Sequence, residues 1–149
     1  MAVKSDDISE LALEFGRAMN EMKSRLSQKI QSKIKDYDPD LSFELLEIIG
    51  LLWRKDGINQ QEIGDIVSKN KSSVTYLINS LVKLGLVERV ENKNDRRHKQ
   101  IFLTQKGEEK RKIIFPWVLD LYRQAAGDID ADEIGNAIFL IKKMIANLA

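Results

Sequence analysis

The chain has no cysteine. That excludes a disulfide framework, a thiolate metal site, a cysteine nucleophile and a thiol redox sensor. It has one histidine, His98, so a histidine-rich metal site cannot be built within one chain. No apolar run approaches the ~18 residues of a membrane span. The opening "MAVKSDDISE" carries no apolar signal segment. A soluble, cytoplasmic protein without a membrane partner is the expectation. There is no Gly-rich phosphate loop and no carboxylate pair in an acid/base context. Ser72 and Ser73 have no histidine nearby in sequence. Catalytic residues, metal and cofactor are therefore all expected to be none.

What is present is a lopsided charge distribution. The 149 residues are 43% apolar and 32% charged, with a formal net charge of +1. Residues 1–68 hold nine basic and thirteen acidic side chains, a net −4. Residues 69–112 hold twelve and five, a net +7, and residues 113–149 hold three and five, a net −2. A basic stretch between acidic flanks is the electrostatic footprint of a polyanion binder.

Apolar periodicity divides the chain into helices. Ile8, Leu11, Phe15, Met19, Met22, Leu26, Ile30 and Ile34 recur at steps of three or four, a long amphipathic helix. Pro39 ends it. Ser42 caps a second helix carrying Leu45, Leu46, Ile49 and Leu52. Asn59 and Glu62 have capping-box spacing, each able to satisfy the other's free backbone N–H, and open a third helix. Asn70 caps a fourth, with Val74, Leu77, Ile78, Leu81 and Leu84 on one side and Gly85 at its left-handed end. Strands follow over Leu86–Glu91 and His98–Leu103, joined by the turn formers Asn92, Lys93, Asn94 and Asp95. Thr104 caps a fifth helix that Pro116 should bend. Asp130 and Glu133 make a further capping-box pair, ahead of a stripe of Ile134, Ile138, Ile141, Ile145 and Leu148.

Two short helices, a tight turn and a hairpin predict a winged helix-turn-helix. The fold class is mostly α (α+β), with a two-stranded wing. On the polar side of the fourth helix lie Ser72, Tyr76, Asn79 and Lys83, flanked by Ser73, Thr75 and Ser80. No acidic residue stands between Lys71 and Lys83. Such a face can approach phosphates and offer hydrogen bonds to base edges. Lys69 and Lys71 lie at its N-terminus, where free N–H groups favour a phosphate. At the hairpin tip, Lys93, Arg96, Arg97, His98 and Lys99 reach for phosphates and a narrow minor groove. His98 reads as a polar strand residue or phosphate neighbour rather than a ligand.

"INQQEIGDIVSKNKSSVTYLINSLVKLGLVERVENKNDRRHKQIFLTQKG" resembles the winged helix of MarR-family transcriptional regulators. The likeness rests on Asn59, Glu62 and Ile63; on Val74–Thr75; on Leu81, Gly85, Leu86, Val87 and Arg89; and on Asp95, Arg97, Leu103, Thr104 and Gly107. Gly64 departs from it, where a helix former is usual. Tyr76 also departs, where a longer basic or polar side chain is common. The resemblance implies a sequence-specific double-stranded DNA-binding regulator, a repressor by expectation. It implies a homodimer built from the N- and C-terminal helices, with the recognition helix in the major groove. Arg97 would enter the minor groove, oriented by Asp95. The expected division is residues 1–40 as an N-terminal dimerisation helix, 41–104 as the DNA-binding domain and 105–149 as C-terminal dimerisation helices.

The expected operator is pseudo-palindromic, with half-sites one helical turn apart and A/T-rich DNA under each wing. Asn79 would pair with adenine, and Thr75 and Tyr76 would touch thymine methyls. Many relatives release DNA on binding a small effector. Met19, Met22, Trp53, Trp117 and Tyr122 are the candidate lining of such a pocket, against the plainer reading that they are core or dimer interface. The runner-up function is a winged helix that binds protein or RNA without DNA sequence specificity.

Overall fold

The computed structural model describes residues 6–149, and the side chain of Arg96 lies outside that description. Among the described residues are six helices and a two-stranded antiparallel sheet: α1 (Ile8–Tyr37), α2 (Phe43–Arg54), α3 (Gln60–Val67), α4 (Lys71–Lys83), β1 (Val87–Asn92), β2 (Asp95–Leu103), α5 (Gln105–Ala126) and α6 (Ala131–Asn147). No helix among them is long and apolar enough to cross a membrane.

The helix starts follow their caps. The side chains of Ser42, Asn59, Asn70 and Thr104 each accept from the backbone N–H three residues on. Two expected details differ. Glu62 reaches the side-chain amide of Asn59 at 3.1 Å rather than its backbone N–H. At α6, Asp130 accepts from the N–H of Asp132 at 3.2 Å, so Glu133 is not part of the cap. The end of α4 is a Schellman arrangement. Gly85 has φ +73°, its N–H donates to Val82, and the N–H of Leu86 donates to Leu81. α5 runs unbroken through Pro116.

One apolar cluster joins the winged helix to the ends of the long helices. Ile34 from α1, Ile48, Ile49 and Leu52 from α2, Ile63 from α3, Ile78 and Leu81 from α4, Ile101 from β2 and Ile114 from α5 are all buried within it. A polar clasp reinforces the α1–α5 junction. Lys110 Nζ lies 2.9 Å from Asp38 Oδ2 and 4.6 Å from the centre of the Tyr37 ring. Tyr37 meets Trp117 edge to face at 5.2 Å.

The hairpin departs from expectation in an informative way. β2 begins at Asp95, so the turn is only Lys93–Asn94. Register is regular from Val87↔Leu103 to Glu91↔Lys99, but the next pair is Asn92↔Asp95. Arg96, Arg97 and His98 are therefore extra residues on one strand, a bulge that re-aims the tip. β2 also has a partner on its other edge. Gly57 donates to the carbonyl of Ile101 and the N–H of Ile101 to the carbonyl of Ile58, both at 2.9 Å. The segment before α3 thus fixes the wing to the helical body.

Two apolar stripes remain uncovered. Of the α1 stripe only Leu26, Ile30 and Ile34 are buried; Ile8, Leu11, Met19 and Met22 are exposed. α6 has no buried residue, and Ile138, Ile145 and Leu148 are 49%, 62% and 88% exposed.

Two glycine substitutions should act in opposite directions. Both positions are helical, where alanine is intrinsically favoured by ~0.5–1 kcal/mol. A Cβ at Gly50 meets nothing within 4 Å, so Gly50→Ala should stabilise by about that amount. At Gly107 a Cβ would sit 2.3 Å from the carbonyl oxygen of Leu86. Gly107→Ala should therefore destabilise, by ~1–3 kcal/mol. Urea midpoints check both signs.

The clasp predicts a pH dependence. The hydrogen bond from Lys110 holds the Asp38 carboxyl below its usual value of 3.8. Burial alone would lower Lys110, but its bond to Asp38 and that carboxylate's field raise it above 10.5. The pair's contribution is therefore present from about pH 4 to about pH 10. It is lost as pH falls through the lowered Asp38 value. Stability measured in urea should show a shallower acid limb below pH 3.8 in Lys110→Met than in wild type.

Candidate nucleic-acid interface

The turn between α3 and α4 is tight because two residues permit it. Ser68 adopts a left-handed conformation at φ +55°. Gly64 lets the turn fold back, since a Cβ there would lie 3.1 Å from the carbonyl of Lys69 and 3.3 Å from Val74 Cγ2. The departure at Gly64 thus has a packing reason: α3 and the start of α4 meet at backbone distance. α4 buries Val74, Leu77, Ile78 and Leu81 and turns its remaining residues outward.

That outward surface has two sides. On the wing side, Lys71, Thr75 and Asn79 stand at successive turns of α4. They line a cleft of ≈ 1080 Å³ closed opposite by Arg89, Arg97, His98 and Lys99 of the hairpin. Lys69 and Asp95 also line it, so helix and wing share one groove. On the other side Ser72, Ser73 and Tyr76 line a smaller cleft of ≈ 450 Å³ against Glu44 of α2. Tyr76 is 71% exposed, the projecting aromatic of the face.

The cations divide into committed and free. Lys69, half-buried, lies 3.8 Å from the exposed Glu44 across the smaller cleft, a pair that a phosphate can displace. Lys71, Lys93, Arg97 and Lys99 are exposed and have no ion-pair partner among the described residues. The side chain of Arg96 lies outside the described residues. Asp95 does not hold the Arg97 guanidinium. Its Oδ1 accepts from the Arg97 backbone N–H at 3.0 Å, and its Oδ2 is 3.4 Å from His98 Nε2. It fixes the bulge and leaves the arginine head group open.

Two residues of this groove escaped the sequence reading as site residues. Arg89 pairs directly opposite Ile101, so the two side chains share the inner face of the sheet. From there the Arg89 Nη2 donates to Asn79 Oδ1. Its Nε is buried without a hydrogen-bond partner among the described residues. The signal was in the sequence: an arginine inside the inward alternation that begins at Val87. Gln60 is the second, its Nε2 donating to Thr75 Oγ1 at 2.7 Å. No local pattern marks a contact fifteen residues apart.

The proposed effector residues are not brought together in this chain. Trp53 is half-buried against Phe115 at 6.0 Å, and Trp117 packs on Tyr37. Met19, Met22 and Tyr122 are exposed. None of the five lines either cleft.

Residues 41–99 match the family model described as the MarR family. Over 111 residues the chain is 30% identical to the HTH-type transcriptional regulator SarZ of Staphylococcus haemolyticus, covering 72% of each. A MarR transcriptional regulator from Methanosarcina mazei Go1 has the same fold, with TM-score 0.80, 24% identity and coverage of 91% of this chain and 98% of that one. The S. aureus MepR–DNA complex superposes with TM-score 0.75 at 19% identity, covering 91% and 96%. The winged helix, the shared helix–wing groove and this similarity give one conclusion: the chain belongs to the MarR family of transcriptional regulators.

Proposed function

We propose that the protein is a homodimeric repressor of a pseudo-palindromic operator, with α4 in the major groove and the bulged wing in the minor groove. The observation that carries this is the groove shared by Lys71, Asn79, Arg97 and Lys99, whose cations have no ion-pair partner among the described residues. A surface that keeps charges unpaired beside hydroxyl and amide groups suits a duplex, whose phosphates pair the charges and whose base edges meet the amides. Arg97 gains most where A/T-rich DNA narrows the minor groove. MepR, which shares the fold, is seen bound to DNA.

The dimer reading rests on the uncovered stripes of α1 and α6. A soluble chain does not leave a row such as Ile138, Ile145 and Leu148 in water without a partner surface, and a second copy supplies the same stripe by two-fold symmetry. We assign residues 1–40 and 105–149 to that dimerisation layer and 41–104 to DNA binding. Release by a small-molecule effector accompanies this proposal. The supporting observation is Trp53 Nε1, a buried donor with no acceptor among the described residues.

Arg97→Ala should weaken operator binding by ~1–3 kcal/mol and flatten the preference under the wing. Lys71→Ala should weaken all sequences about equally and reduce the salt slope by about one. Fluorescence anisotropy at several salt concentrations measures both. Unchanged affinity for Arg97→Ala contradicts the wing assignment, and binding indifferent to DNA sequence favours a protein- or RNA-binding module. For the dimer, Ile138→Asp and Ile145→Asp alter side chains already exposed in one chain. Each should convert a dimeric mass in light scattering to a monomeric one while helicity persists. A monomeric wild type refutes the assignment.

A further inference from the structure

The groove holds a feature that its charge alone does not show. Both polar groups that α4 presents to the wing side have their acceptor oxygen engaged by a neighbouring donor. Gln60 Nε2 donates to Thr75 Oγ1, and Arg89 Nη2 donates to Asn79 Oδ1. Arginine has no acceptor, so the atom facing it must be the amide oxygen, which leaves the Asn79 NH₂ as the outward group. Thr75, accepting from Gln60, keeps its O–H to donate. Lys71, the third member of the stripe, has only donors.

We propose that the wing-facing stripe of α4 is a donor-biased reading surface, set by Arg89 and Gln60, and that Asn79 donates to guanine or to thymine O4 rather than reading adenine through both ends of its amide. The proposal rests on the DNA-binding reading above and deepens it. Asparagine reads adenine through both ends of its amide, the oxygen accepting from N6 and the nitrogen donating to N7. Here the oxygen already holds a guanidinium, whose positive charge and N–H groups stand where adenine's N6 amino group would come. Adenine is repelled at that end, and cytosine, which presents a donor from N4, is repelled likewise. Guanine offers O6 and N7 and thymine offers O4, all acceptors. Arg89 and Gln60 are positioning residues: each acts through the side chain it holds. The adenine assignment expected for Asn79 from its residue type is thereby reversed by its neighbour.

The test is selection of binding sites from a randomised duplex pool by the full-length protein, with wild type, Asn79→Ala and Arg89→Leu. Asn79 is exposed, so its replacement opens no cavity in the core, and circular dichroism checks that the variant is folded. The position at which Asn79→Ala abolishes the wild-type preference is the one Asn79 reads. Because every base pair carries a guanine or a thymine on one strand, the atom read is identified by analogue substitution. Wild-type affinity should fall when guanine of a selected G·C pair is replaced by 7-deazaguanine, and should be unchanged when adenine of a selected A·T pair is replaced by 7-deazaadenine. Arg89→Leu keeps an apolar stem on the sheet and frees the amide oxygen, so adenine becomes readable through N6 and N7, and 7-deazaadenine at that pair should weaken this variant's binding by about fivefold or more. A selected A·T pair at which 7-deazaadenine weakens wild-type binding, showing that adenine N7 is read, overturns the proposal, as does a selected G·C pair at which 7-deazaguanine changes nothing. So does Asn79→Ala leaving every preference in place, or a folded Arg89→Leu that 7-deazaadenine does not weaken. If Arg89→Leu does not fold, the wild-type and Asn79→Ala comparison decides alone. Failure of wild type to enrich any sequence would instead overturn the DNA-reading function itself, and the proposal with it.

Discussion

Ile101 holds the interface together. Its side chain is fully buried in the common core, and its N–H and carbonyl both bond to the segment before α3. On its other edge it pairs with Arg89. One residue of β2 thus fixes the wing to the helical body and sets the inner face from which Arg89 reaches α4. A two-stranded hairpin alone is marginally stable in water. Here the third edge and the core contact tie the wing to the helical body, so the hairpin does not stand alone beside the cleft it shares with α4.

The same economy appears at the tip. Asp95 ties down the backbone of Arg97 and engages His98, while the arginine head group stays unpaired. Elsewhere Arg17, Arg25, Arg111 and Arg123 are each paired with a carboxylate along their own helix, as Arg25 is with Glu21. The contrast separates charges that serve solubility from charges kept available. The basic middle of the sequence becomes a functional surface because the fold gathers it around one groove and leaves several of its cations without acids.

Local chemistry was legible in the sequence. Caps, helix spans and the left-handed Gly85 depend on residues within one turn of each other, and they fell where side chains at Ser42, Asn59, Asn70 and Thr104 dictated. What the sequence hid depends on neighbours distant along the chain. The wing bulge depends on pairing across the hairpin, so turn residues alone placed the start of β2 three residues late, at His98 rather than Asp95. Gly64 looked like a weak helix residue until the return of the chain at Lys69 gave it a reason. Among site residues, Lys71, Arg97 and Lys99 were identified by charge and position, and the structure places them in one groove. Arg89 and Gln60 were not, because their role is to occupy acceptors on another element. The candidate effector residues were chosen by side-chain character alone, and within one chain they lie apart.

Hydroxyl-radical footprinting of the protein on a selected duplex tests the central claim most directly, because the radical reports minor-groove protection at single-nucleotide spacing. A symmetric dimer with bulged wings predicts two protected minor-groove segments placed symmetrically about the centre of the site, with each recognition helix in the major groove on the inward side. Replacing Arg97 should erase both outer segments together. A single asymmetric patch, or protection that follows the duplex without a centre, would contradict the account.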